Sequence, residues 1–151
     1  MNLLSYTIFI PLIGALAILF VPKERLAAIR WAAAVFSFIP MILSFILTWD
    51  YYFNYSGSSA LAFVEGPFTW IAALNVQYYL GVDGISVPMI FLTGLLSFIS
   101  IIASFNIQNR VKEYFAFFLL LETGMMGVFS ALDFFLFYVF WEVMLVPMYF
   151  L

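Results

Sequence analysis

Long apolar runs broken by short polar stretches organise this chain. Hydrophobic residues fill about 2–21, 31–49, 84–106, 114–131 and 134–151. A helix needs about 20 apolar residues to cross roughly 30 Å of hydrocarbon, so each run is of spanning length. The pattern predicts an all-α, polytopic membrane protein of five transmembrane helices. The connection 51–83 is too long for a hairpin turn and too aromatic for a disordered linker, and is expected to be an ordered 30-residue outer loop. Within it, Tyr55-Ser56-Gly57-Ser58-Ser59 marks a turn, and Leu74-Asn75-Val76-Gln77-Tyr78 alternates apolar with polar as a half-buried strand does.

Local signals refine the helices. Asp83 precedes Gly84-Ile85-Ser86, where the third span needs an N-cap acceptor, so its expected role is structural rather than ion binding. Thr123, Gly127 and Ala131 recur at helical spacing in the fourth span and predict close approach of another helix. Pro40 in the second span and Pro147 in the fifth lack an N–H, leaving the carbonyls of Phe36 and Val143 without helical donors. Pro40 reads as a packing kink. For Pro147, one turn from Glu142, packing and a role in holding water for proton transfer are equally compatible with the pattern.

Charge sets an orientation. All five Lys and Arg residues fall in two alternate connections, at Lys23, Arg25 and Arg30 and at Arg110 and Lys112. The positive-inside rule then places those loops in the cytoplasm, with the N-terminus and 51–83 outside. A secretory signal carries its basic residues before the apolar stretch, whereas here they follow it, so the first run is expected to remain as a helix.

Composition narrows the chemistry. Hydrophobic residues make up 67% of the chain and charged residues 9%, so its solvent is lipid. With no His and no Cys, the usual ligands of haem, iron–sulfur clusters, zinc and copper are missing, and no cofactor or metal is expected in this chain. Five scattered basic residues and a net charge of −3 give no footprint for nucleic acid.

Two carboxylates lie inside the predicted spans. Glu142 sits near the middle of Phe134 to Leu151, a run with no Lys or Arg. A carboxylate at the centre of a spanning helix costs about 2.5–3.5 kcal/mol even on insertion scales, which makes it a functional candidate; the plainer reading is a carboxyl kept protonated, or a buried acid hydrogen-bonded by a neighbouring helix. Glu122 lies as far before the turn at Ala131–Asp133 as Glu142 lies after it. At 1.5 Å per residue both stand about 15 Å below that turn, near the midplane, where an acid can load and release a proton. Spacing alone leaves open whether their faces meet. Asp133, at the membrane edge, is solvated by headgroups and water.

The stretch Leu119-Leu120-Leu121-Glu122-Thr123-Gly124-Met125-Met126-Gly127-Val128-Phe129, continued by Ala131-Leu132-Asp133 and Phe140-Trp141-Glu142-Val143-Met144-Leu145-Val146-Pro147-Met148-Tyr149-Phe150-Leu151, resembles the chain M (chain 4) family of proton-pumping NADH-quinone oxidoreductase, respiratory complex I. Leu80-Gly81-Val82-Asp83-Gly84-Ile85-Ser86 resembles it as well. The likeness is carried by 80–151; over 1–79 only the pattern of spans agrees. It implies an antiporter-like, proton-translocating subunit built on two inverted five-helix repeats. Residues 1–113 would be the three leading helices with the outer loop 51–83, and 114–151 the first two helices of the first repeat, making the chain an N-terminal fragment of such a subunit.

The resemblance also implies site residues. The glutamate matching Glu142 belongs to the family's proton channel, where its partner is a lysine on the seventh helix, beyond this sequence. Glu122 is a second candidate, at a position where family members differ. The implied function is proton translocation coupled to NADH oxidation and quinone reduction by other subunits, with no redox site in this chain. Other complex I membrane subunits and the lipid bilayer would be its partners, quinone and NADH would be met only through those subunits, and a bacterial inner membrane would be its location. A multisubunit cation/proton antiporter or membrane-bound hydrogenase subunit, or a non-catalytic membrane assembly subunit, fits the same architecture.

Overall fold

The computed structural model describes residues 3–55 and 61–151. Its elements are α1 (Leu3–Phe20), α2 (Leu26–Trp49) running into a π-helical turn (Asp50–Asn54), β1 (Ala62–Ile71), β2 (Val76–Val82), α3 (Ser86–Ala103), α4 (Val111–Ser130) and α5 (Phe134–Phe150). Four helices, α1 to α4 with their terminal turns, are long and apolar enough to cross a membrane; α5 is as apolar but has 17 residues. The turn expected at Ser56 to Ser59 lies outside the described residues.

The second helix starts earlier than its apolar run. It begins at Leu26 instead of 31, because a helix tolerates Arg30 where an apolar window does not. The Arg30 guanidinium donates through Nη2 to the carbonyl of Ile107 at 2.8 Å, tying α2 to the α3–α4 connection. At the same end, Lys112 Nζ donates to the Leu19 carbonyl at 2.6 Å, satisfying an orphan acceptor near the end of α1, and Lys23 pairs with Glu113 at 3.4 Å. Arg30, Lys112 and Lys23 thus fasten one end of the bundle, called here the basic end.

In lipid there is no hydrophobic drive between helices, so association depends on close packing and small residues. Helix α4 packs against α1, α2, α3 and α5, while α2 packs between α1 and α3. The buried face of α2 is Ala33, Ala34, Ser37, Pro40, Ser44 and Leu47, mostly small side chains. Gly94 of α3 lies against it so closely that a Cβ there would stand 3.0 Å from the Met41 Cα. Gly14 of α1 likewise receives the Phe36 side chain. The outward faces carry exposed Trp31, Val35, Ile42 and Trp49, a surface suited to lipid.

The connection expected as an outer loop contains a β-hairpin. Strand β1, absent from the sequence reading, pairs antiparallel with β2 from Ala62↔Val82 to Ile71↔Val76. Its alternation is hidden by register shifts at three places along the ladder. Gly66 sits at φ +107°, and a Cβ on it would overlap the Tyr78 carbonyl oxygen, so the ladder needs glycine there. The expected strand at Leu74–Tyr78 begins later, at Val76: Leu74 lies exposed in a 3-10 turn and Asn75 adopts the left-handed conformation that turns the chain.

The hairpin clamps the helices beneath it. Leu132, in the α4–α5 turn, donates its N–H to the Tyr79 carbonyl at 2.9 Å, and Leu80 bridges Ala131. Leu4, Ile8, Leu47, Leu80, Ile90 and Met126 form one apolar cluster at this hairpin end. Ile18, Ile29, Ile101, Phe115 and Leu119 belong to a second cluster at the basic end.

Candidate functional site

Two acids at one depth have opposite surroundings. Glu142 stands on the exposed outward face of α5. Tyr138, one turn earlier on the same helix, lies beside its carboxylate. Pro147, one turn later, is buried, and its missing N–H leaves the Val143 carbonyl free of a helical donor between the two. Among the described residues, no basic group pairs with Glu142.

Glu122 is 0% exposed, and neither carboxyl oxygen has a hydrogen-bond partner. The Ser37 hydroxyl of α2, equally buried, lies beside it without the geometry of a formed hydrogen bond. Helix geometry explains why the two acids do not meet. The α5-facing side of α4 is marked by Gly124, against Met144, and by Gly127, against the Phe140 ring. At about 100° per residue these lie on the far side of α4 from Glu122. Spacing left open whether their faces meet, and in the structure they point apart.

The small residues of α4 make that approach possible. A Cβ on Gly127 would overlap the Phe140 ring, and one on Gly124 would stand 3.0 Å from Met144. Of the stripe read from the sequence, Gly127 contributes directly, Thr123 is buried, and Ala131 ends the helix. Gly124, outside that stripe, is an equal partner. An apolar groove of about 450 Å³ lies next to this contact, lined by Phe9, Leu12, Trp70, Phe140 and Val143 among others.

The acids at the membrane edge serve helix ends. Asp83 Oδ1 accepts from the N–H groups of Ser86 at 2.7 Å and Ile85 at 2.9 Å, while the Asp83 N–H donates to Ser86 Oγ at 2.8 Å, a reciprocal capping arrangement at α3. The Ser86 and then the Ile85 amide hold its carboxyl below the usual carboxylate range. Asp133 does the same for α5, accepting from Phe135 at 2.9 Å and Leu136 at 3.0 Å, and its other oxygen reaches the Gln77 N–H at 3.4 Å.

Glu65 of β1 was missed by sequence reasoning. It is only 7% exposed and accepts from the Leu4 N–H at 2.8 Å, from the Ser5 N–H at 3.2 Å and from the Ser5 hydroxyl. Ser5 Oγ is also 2.6 Å from the Tyr78 hydroxyl, whose pKa burial pushes up. A strand from the hairpin thus caps the first helix, placing negative charge where the helix dipole favours it. The only signal in the sequence was that Glu65 is the one charge between Asp50 and Asp83. No group of three or more acidic side chains converges to hold a metal ion among the described residues.

Comparison with known proteins points one way. Residues 58–130 match the family described as NADH-ubiquinone oxidoreductase chain 4, amino terminus. The chain is 38% identical to the NADH-quinone oxidoreductase subunit M of Rickettsia typhi over 97% of its length and 30% of the relative's. It is 33% identical to an NAD(P)H-quinone oxidoreductase chain 4 of Nostoc sp., over all of this chain and 28% of that protein. A chloroplastic NAD(P)H-quinone oxidoreductase chain 4 of Mesostigma viride is 32% identical over 95% of this chain and 28% of its own. The chain spans less than a third of the length of these curated relatives.

Proposed function

The chain belongs to the subunit M and chain 4 family of NADH-quinone oxidoreductases, and from that membership we propose that it forms part of a membrane subunit translocating protons while other subunits oxidise NADH and reduce quinone. The observation that carries this reading is Glu142: an ionisable group halfway along an apolar helix, on a face that no other described helix covers. A carboxylate so placed is costly against lipid, and is best accounted for as half of a polar site completed by further helices.

In this reading Glu142 takes up and releases the proton at its carboxyl. The Val143 carbonyl, freed by Pro147, offers an acceptor within a turn, and Tyr138 offers a hydroxyl on the other side, so water can be held next to the acid. Asp83, Asp133 and Pro147 position helices. The partners are the other membrane subunits and the surrounding lipid. The positive-inside rule puts the basic end in the cytoplasm of a bacterial cell and the N-terminus and hairpin outside its inner membrane.

Glu142→Gln tests this, since it keeps volume and hydrogen bonding but removes the titratable group. In the full-length subunit, the assembled complex carrying the change should lose most quinone-linked proton transport. Normal transport at normal assembly would overturn the assignment.

A further inference from the structure

We propose that Glu122 is a separate proton store inside the bundle, exchanging its proton with the hairpin end and sealed from the basic end. It does not rest on the Glu142 reading, because the two acids lie on opposite sides of α4.

The first observation is the unpaired carboxyl. Glu122 is fully buried with both oxygens unbonded, and no helix packed against α4 presents it with a charge. The charged groups on those helices are Arg30, whose Nη2 donates to the Ile107 carbonyl at the basic end and whose buried Nε has no partner, and Glu142, on the outward face of α5. Of their tyrosines, Tyr6, Tyr138 and Tyr149 are exposed, and Tyr78 and Tyr79 of β2, which also packs against α4, stand at the hairpin end. On α4 itself, Lys112, Glu113 and Tyr114 lie in the first turn, about 12–15 Å away by helix rise. An ionised carboxylate has no compensation in such a place, so the group holds a proton.

The second observation is that the fully buried hydroxyls are one-sided. Ser37 and Ser97 are buried near the level of Glu122, and Ser44 and Thr93 are buried nearer the hairpin end. Ser44 and Thr93 donate to carbonyls of their own helices, which leaves their oxygens free to accept. Pro40 adds the undonated Phe36 carbonyl next to Ser37. Thr93 and Ser97 also line a groove of about 240 Å³ between α3 and α4 that runs from Met89, near the hairpin end, to the half-buried Ser100 and Phe118. Towards the basic end the interior is closed by Ile18, Ile29, Ile101, Phe115 and Leu119. Among the described residues, a proton leaving Glu122 therefore finds fully buried hydroxyl acceptors in one direction only.

The test uses the assembled complex in oriented membrane vesicles and dicyclohexylcarbodiimide, an apolar reagent that adds to protonated carboxyls, with modification at Glu122 read by tandem mass spectrometry. Raising the pH on the hairpin side should lower Glu122 modification, by up to about tenfold per unit once the acid's midpoint is passed, while raising it on the basic side should leave modification unchanged. Ser97→Val, which removes a hydroxyl from the route, should slow that response without altering assembly. Loss of modification driven from the basic side, or no modification of Glu122 at any pH, would overturn the proposal. Proton transport by Glu142→Gln in the same vesicles reports on the other site, so failure of one reading is distinguishable from failure of the other.

Discussion

Glu122 and Glu142 stand at the same distance from the α4–α5 turn, yet one is sealed inside the bundle beside Ser37 and the other faces outward from α5. Antiparallel helices joined by a short turn match depth automatically, because both count residues from the same point at the same rise. Facing is set independently, by which residues of α4 allow α5 to approach. Gly124 and Gly127 fix that contact and turn Glu122 away from it. The two carboxylates therefore do not face one another across the α4–α5 contact.

That helix contact gives the first prediction. Gly127→Leu should push α5 off α4, since even a Cβ would overlap the Phe140 ring. The cost should be about 1–3 kcal/mol, as for other overpacked contacts. Gly127→Ala combined with Phe140→Leu should recover much of the loss. Thermal unfolding of the assembled complex, followed through release of this subunit, measures both; full stability of Gly127→Leu would refute the close contact.

Glu65 should matter for the anchoring of α1. Glu65→Ala leaves the Leu4 and Ser5 amides without acceptors at the edge of the membrane, at about 1–3 kcal/mol. Glu65→Gln keeps an acceptor and should cost less. Hydrogen exchange at the first turn of α1 reads the effect directly, with faster exchange in the Ala variant than in the Gln variant; equal, slow exchange in both would remove the cap.

Asp83 should behave as a cap with a pH signature. Its carboxyl is held below the usual range, so its stabilising contribution is fully present above the unfolded carboxylate value and disappears as pH falls through the lower folded value. Asp83→Asn, still an acceptor, should be nearly silent, whereas Asp83→Ala should cost about 0.5–2 kcal/mol and lose the acid sensitivity. A complete loss of proton transport in Asp83→Asn with assembly intact would show a role beyond capping.

Orientation is open to a labelling test, because the chain has no cysteine of its own. Leu74 stands exposed at the tip of the hairpin. A Leu74→Cys variant should react with an impermeant thiol reagent from the side opposite the basic loops. Labelling from the cytoplasmic side alone would reverse the orientation.

The apolar runs by themselves determined that this chain is a helical membrane protein and where its helices lie to within a few residues, because lipid offers backbone groups no partners and forces each span to be locally self-sufficient. Asp83 was legible for the same reason: its acceptor serves amides two and three residues away. Glu142 stood out because one charge in an apolar helix is visible without knowing its neighbours.

Facts that join distant residues were not legible. The cap that Glu65 provides spans 61 positions of sequence, and β1 was masked by register shifts that only its partner strand defines. The start of α2 was misplaced because hydropathy stops at Arg30, while the helix continues as long as that guanidinium finds a carbonyl, here Ile107 on another connection. Burial of Glu122 and exposure of Glu142 depend on which helices close around α4. Hydropathy is a property of one segment, and only tertiary packing decides which side of a segment meets lipid and which meets protein.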